Sequence, residues 1–145
     1  MILVKTYVSR SSIHGNGLFA SEPLPKGTPI WRFQAGFDQD FSPTDWEALP
    51  EAARSHARWF CFVRQGDHHV ILSGDHACFI NHDPQPNTGT PPDAQPPITT
   101  VALRDIAAGE EITCNYWSYD ADTPWKLGMI SVYAPLASRS SFEST

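Results

Sequence analysis

Cysteine is scarce in this 145-residue chain: Cys61, Cys78 and Cys114 lie far apart and form no CxxC pair. Such an odd, scattered set excludes a disulfide framework and offers no structural zinc spacing. Long apolar runs are missing too, so no stretch can span a bilayer. The opening segment, 2–8, is a short apolar alternation interrupted by Lys5. It lacks the basic start, long apolar run and small-residue cleavage site of a secretory signal, and a reducing, cytoplasmic setting without a membrane partner is expected. Positive charge is sparse as well, with 10 Lys and Arg against 16 Asp and Glu and a net charge of -6. That balance argues against direct nucleic-acid binding, which calls for a basic patch. It suits a lysine-rich basic protein or peptide, although acidity also serves plain solubility. The six histidines, among them His68, His69 and His76, show no ligand spacing with the cysteines, so no metal is expected.

Hydrophobic residues make up 41% of the chain and charged residues 18%, enough apolar material for a core in one domain. The 13 prolines and 9 glycines punctuate short segments, which predicts a mainly β chain of short strands joined by turns. Strands are expected over 2–8, 18–20, 29–33, 77–80, 98–103 and 111–116. A hairpin is expected from 59–64 and 68–72 around Gln65-Gly66-Asp67. Ser42-Pro43-Thr44-Asp45 reads as a helix start, with a capping serine, a proline at the first position and an acid at the positive end of the dipole. Helix is expected again after Pro50 to about Arg58. Segment 83–97, with six prolines, reads as an ordered loop or flap.

Four segments carry chemistry-bearing residues. Gly15-Asn16-Gly17 would let the backbone approach a ligand, or would simply turn the chain. Asn81 and His82 follow an apolar run and precede prolines, as a capped strand end or a binding edge. Tyr116 closes Gly109-Glu110-Glu111-Ile112-Thr113-Cys114-Asn115-Tyr116, where a lone tyrosine is often core with a satisfied hydroxyl. Trp125 either packs on the core or stacks on a flat ligand.

In this order, the segments resemble the SET-domain family of protein lysine methyltransferases. His14-Gly15-Asn16-Gly17-Leu18-Phe19-Ala20 is similar to its GxG motif. Phe79-Ile80-Asn81-His82-Asp83-Pro84-Gln85-Pro86-Asn87 is similar to its asparagine–histidine motif, and 109–116 to its closing motif. The resemblance spans about 5–125 and is nearest to the minimal SET proteins of bacteria and large viruses. It implies small curved sheets with a C-terminal pseudoknot and one or two short helices, a domain over 1–128 and a C-terminal tail over 129–145. It also implies S-adenosylmethionine as cofactor, with S-adenosylhomocysteine as product. His14, Gly15, Asn16 and Gly17 would cradle the methionine part, Asn81 would hold its amino group, and the main chain at His82 would meet the adenine. Trp125 would cover the adenine ring, and Tyr116 would border the cofactor and serve catalysis. Phe60, Phe62, Cys114 and Tyr119 would line the lysine channel of a monomer or homodimer.

The departures are specific. Asp83 stands where a serine is usual, Trp117 where a glycine often follows, and Arg58-Trp59-Phe60-Cys61-Phe62 lacks the tyrosine that often lines the channel. One hydroxyl is absent or comes from elsewhere, which keeps open the alternative of a catalytically weak SET module acting in peptide binding or self-association. By the same resemblance, Cys114 occupies a position that gates how many methyl groups fit. A small residue there leaves room for dimethyl- or trimethyl-lysine.

Overall fold

The computed structural model describes residues 1–131 and 134–136, arranged in two compact units. The first is Met1–Asp38 with Ser73–Asn115, and the second is Gln39–Leu72 with the chain from Tyr116 onward. The structure is mainly β, as the turn-rich sequence predicts. Of the expected tail, 129–145, residues 132–133 and 137–145 lie outside the described residues.

In the first unit, β1 (Thr6–Arg10) and β2 (Asn16–Ala20) form an antiparallel hairpin, with Thr6 opposite Ala20 and Arg10 opposite Asn16. Its turn closes through Ser11 N–H donating to Gly15 O at 2.8 Å, with Gly15 at φ +47°, a left-handed conformation that glycine adopts without penalty. Strand alternation points Leu18 and Ala20 into the core, while Phe19 stacks on Tyr7 on the other face. Further along come β3 (Pro29–Arg32), β7 (Asn81–His82), β8 (Thr88–Gly89), β9 (Thr99–Ala102) and β10 (Glu111–Cys114). They build two sheets, ordered β1-β2-β10-β7 and β3-β9-β8. Leu18, Ala20, Leu24, Ile30, Ala102, Ile106 and Ile112 form the core of this unit.

In the second unit, β4 (Gln39–Phe41), β5 (Cys61–Val63) and β6 (Val70–Leu72) make an antiparallel sheet with β6 in the middle. Helix α1 (Pro43–Glu47) starts as expected: Ser42 caps it by accepting from Asp45 N–H at 3.1 Å, and Trp46 faces inward. Helix α2 (Glu51–Ala57) follows Pro50, and α3 (Thr123–Lys126) has a proline in its first turn. Trp46, Cys61, Val63 and Val70 form this unit's core.

Several expectations need correction. Segment 77–80 is not a strand; His76–Phe79 is a 3-10 turn, because Asp75 caps it through Ala77 N–H at 3.0 Å and Phe79 can still reach the core. The first strand is Thr6–Arg10 rather than 2–8. Its forerunner pairs elsewhere, with Ile2 bridged to Trp31 and Leu3 N–H bonded to Ile30 O. The closing strand ends at Cys114, and Tyr116 opens a 3-10 turn, Tyr116–Ser118. Among the described residues the α-helices are few and short, α1 to α3, in keeping with the mainly β expectation. Strands β4 and β8 were not anticipated.

Candidate functional site

The first unit gathers the GxG and asparagine–histidine segments around β10. Strand β10 runs antiparallel to β2, with Ile112 opposite Leu18, and parallel to β7, with Thr113 opposite Asn81 and Cys114 opposite His82. The Asn81 side chain then spans to the hairpin turn. Its Nδ2 donates to His14 O at 3.0 Å, Asn16 O at 3.1 Å and Glu111 Oε1 at 2.9 Å. Three acceptors on one side fix the amide, since flipping it would set Oδ1 against them. Among the described residues no donor reaches Asn81 Oδ1, although the residue is only 8% exposed. An unused acceptor on a fixed, nearly buried amide suits a ligand ammonium, so this cluster fits the amino-acid end of S-adenosylmethionine.

Sequence reasoning missed much of what supports this cluster. Ser11 Oγ donates to the Glu111 carboxylate at 2.8 Å and accepts from Ile13 and His14 N–H at 2.9 and 3.3 Å. Gly17 is bare for a reason internal to the protein: a Cβ there would lie 2.2 Å from Glu111 Oε1. Asn87, fully enclosed, completes the backbone bonding of β10. Its Oδ1 accepts from Thr113 N–H at 2.8 Å and its Nδ2 donates to Glu111 O at 2.7 Å. Asp83, where a serine is usual, accepts from Gln85 N–H at 2.8 Å and so starts the proline-rich loop. Cys114 is buried at the end of β10, where its carbonyl accepts from Asp83 N–H.

The second unit gathers the aromatic residues. Tyr119 meets Phe62 edge-on at 5.1 Å between centroids and Tyr116 at 6.2 Å. Along β5, Cys61 and Val63 face the core and Phe62 the opposite face, while Phe60 precedes the strand in a turn. Phe60 lies beside His56 at 5.2 Å. Burial pushes the Cys61 thiol up to about 12, so it stays protonated. Trp125 is buried, with the Arg58 guanidinium 4.0 Å from its ring centroid and the Trp59 ring at 4.4 Å.

Paired charges position these rings, and sequence reasoning singled out none of them. Arg58 binds Asp122 through two 2.9 Å bonds. Lys126 Nζ lies 5.5 Å from the Tyr116 ring centroid, held by Asp120 Oδ2 at 2.6 Å and by Cys61 O. The other oxygen of Asp120 accepts from Val63 and Asp122 N–H. The alternation Asp120-Ala121-Asp122 was the available signal, but its partners are not readable from spacing.

Among the described residues no His, Cys, Asp and Glu group could hold a metal ion, and no helix is long and apolar enough to cross a membrane.

Comparison with known proteins identifies the family and the fold. A putative histone-lysine N-methyltransferase 1 of Plasmodium falciparum is 29% identical over 121 residues, or 78% of this chain and 2% of that protein. The chain thus spans a small fraction of the curated relative it matches. The crystal structure of a putative histone methyltransferase of Plasmodium falciparum superposes with a TM-score of 0.54 at 20% identity, covering 79% of this chain and 95% of that one. An autoinhibited ctPRC2 structure bound to S-adenosylmethionine gives a TM-score of 0.59 at 19% identity, over 87% of this chain and 17% of that one. The family model of the SET domain matches residues 15–117, from the GxG glycine to one residue beyond the closing tyrosine, and the chain therefore belongs to the SET-domain family.

Proposed function

We propose that this protein is an S-adenosylmethionine-dependent protein-lysine N-methyltransferase acting on a basic protein or peptide. The observation that carries the reading is the fixed amide of Asn81, whose Nδ2 is spent on His14 O, Asn16 O and Glu111 while its Oδ1 is left to accept. Family membership and relatives named as histone-lysine methyltransferases support it. In the first unit, residues 14–17, Asn81 and the main chain at His82 would hold the cofactor. When bound, S-adenosylmethionine supplies a methyl group on a cationic sulfur, open to in-line displacement.

The chain's own residues then have two tasks. The first is alignment, which supplies much of the acceleration in such a displacement. Tyr116, braced edge-on by Tyr119, would orient the lysine amine through its hydroxyl, and Phe62 would line an apolar path. The second task is to favour the neutral amine. A free lysine has a pKa of about 10.4, and an apolar channel lowers it, so no strong protein base is required. The net charge of -6 favours a cationic substrate.

Incubation with methyl-labelled cofactor and lysine-rich proteins from a host lysate tests the reading, with mapping of the labelled residue. Label on lysine supports it. Cofactor binding without transfer to any protein would assign the chain to the alternative, a binding module. Product mass resolves the Cys114 expectation: the native protein should go beyond one methyl, and Cys114→Tyr should shift the mixture toward monomethyl-lysine. A native enzyme that stops at one methyl, with an identical mutant, places the gate elsewhere.

A further inference from the structure

We propose, resting on the methyltransferase reading above, that Glu111 is a positioning residue for the cofactor. Its carboxylate holds the 11–17 loop from two sides and fixes which face of the Asn81 amide is turned outward. On one side, both Glu111 oxygens accept from Ser11 Oγ at 2.8 Å. The same Ser11 oxygen accepts from the N–H groups of Ile13 and His14, so the carboxylate orients the hydroxyl that closes the turn. On the other side, Glu111 Oε1 accepts from Asn81 Nδ2 at 2.9 Å, and that nitrogen also donates to the carbonyls of His14 and Asn16. His14 is therefore held at its N–H through Ser11 and at its carbonyl through Asn81, and both links end on one side chain.

Glu111 also explains a feature of the loop that a ligand would not. The carboxylate lies against Gly17, where a Cβ would come within 2.2 Å of Oε1 and 3.2 Å of Ser11 Cβ. A Cβ at residue 17 would push the carboxylate off Asn81 and Ser11. The register gives the reason Glu111 reaches this spot: it stands opposite Phe19 on β2, two residues before Thr113, where β10 pairs with Asn81. A carboxylate only accepts hydrogen bonds when ionised, and bonds to it are stronger than neutral ones. It thus selects the Asn81 rotamer that presents Oδ1, the atom suited to an ammonium, and rejects the one that would present NH2.

The test separates positioning from mere support of the fold. Calorimetry with S-adenosylmethionine should show Glu111→Ala weakened about tenfold and Glu111→Gln, which keeps a carbonyl acceptor but no charge, weakened about threefold. In turnover, KM for the cofactor should rise in the same order, with kcat at saturating cofactor within about twofold of native. The Asn81 side-chain N–H resonances in a 15N-labelled protein without cofactor should move on Glu111→Ala, and less on Glu111→Gln. Gly17→Ala should be damaging alone and milder combined with Glu111→Ala, because the clash partner is gone. Native affinity in both Glu111 variants, or a fall in kcat with KM unchanged, overturns the proposal. If Glu111→Ala does not fold, the Gln variant decides on the same criteria. A native protein that fails to bind cofactor at millimolar concentration overturns the methyltransferase reading instead. In that case unmoved Asn81 resonances would overturn the Glu111 lock separately.

Discussion

The unit containing the asparagine–histidine segment and the unit containing Tyr116, Tyr119 and Trp125 hold their candidate site side chains by different chemistry. In the first, amides and a hydroxyl are spent mostly on backbone atoms: Asn81 on two carbonyls, Asn87 on β10 and Ser11 on two N–H groups. The one carboxylate among them, Glu111, has no cationic partner among the described residues but accepts from Asn81 and Ser11. In the second, opposite charges pair in near-complete burial. Asp120 and Asp122 side chains are 0% and 3% exposed, against 14% for Lys126 and 12% for Arg58. Neutral networks fail one bond at a time. A buried ion pair that loses one partner strands the other charge, so its failure costs more. The amide network thus suits a loop that must present a ligand-binding atom, and the ion pairs suit a platform that must keep rings in place.

The sharpest way to break this contrast is Asp120→Ala. It strands the Lys126 ammonium and two N–H groups, Val63 and Asp122, and should cost about 3–5 kcal/mol in urea unfolding. A loss below about 1 kcal/mol would mean that the charges are less isolated than their burial indicates. Asn87→Ala, in the neutral network, should cost about 2 kcal/mol by the same measurement, since it leaves Thr113 N–H and Glu111 O without partners. If the two variants were equally damaging, the distinction between the units would fail.

Tyr116→Phe sharpens the comparison at the level of function. It removes one hydroxyl and leaves the ring contacts to Tyr119 and Lys126, so thermal stability should hold while the rate falls about tenfold. An unchanged rate would remove Tyr116 from the chemistry. Asn81→Ala should instead raise KM for the cofactor.

The smallest effect belongs to the exposed edge of the second unit. The Arg64 hydrogen bonds hold the Asp67 carboxyl at about 2, against a small opposing effect of burial. A carboxyl depressed in the folded state adds stability that is full above its ordinary pKa, about 3.9. That contribution is lost as pH falls from about 4 toward about 2. With the Asp67 side chain 41% exposed, screening limits the contribution to a few tenths of a kcal/mol. Asp67→Asn should make the acid side of a stability–pH curve slightly shallower, and an identical curve would show that the pair contributes nothing.

Turn chemistry made much of the fold legible. Gly15 marked the β1–β2 turn, Ser42-Pro43 the start of α1, and Gln65-Gly66-Asp67 the reversal between β5 and β6. The failures have physical reasons. A four-residue apolar run fits a strand or a helical turn equally well, and Asp75, just upstream of 77–80, decided it by capping. Strand β4, Gln-Asp-Phe, has one apolar residue and exists because β6 offers it a partner. For the candidate site, motif order singled out Asn81, Tyr116 and the glycines. The side chains that hold them were hidden because their partners are distant in sequence, as with Arg58 and Asp122, 64 positions apart.

The placement of β10 between β2 and β7 also has a consequence for biosynthesis. Both flanking strands leave the ribosome before residues 111–114 exist, so the inner edge of β2 must wait unpaired while some ninety residues are added. Open strand edges on a growing chain are hazards for misassociation, and non-local pairings close slowly. The keystone of this sheet is therefore its last strand to be translated. Stalled chains released at residue 110 should be digested readily across 6–20, whereas chains extended past 118 should protect that hairpin, and the difference marks the point at which the inner edge of β2 is covered.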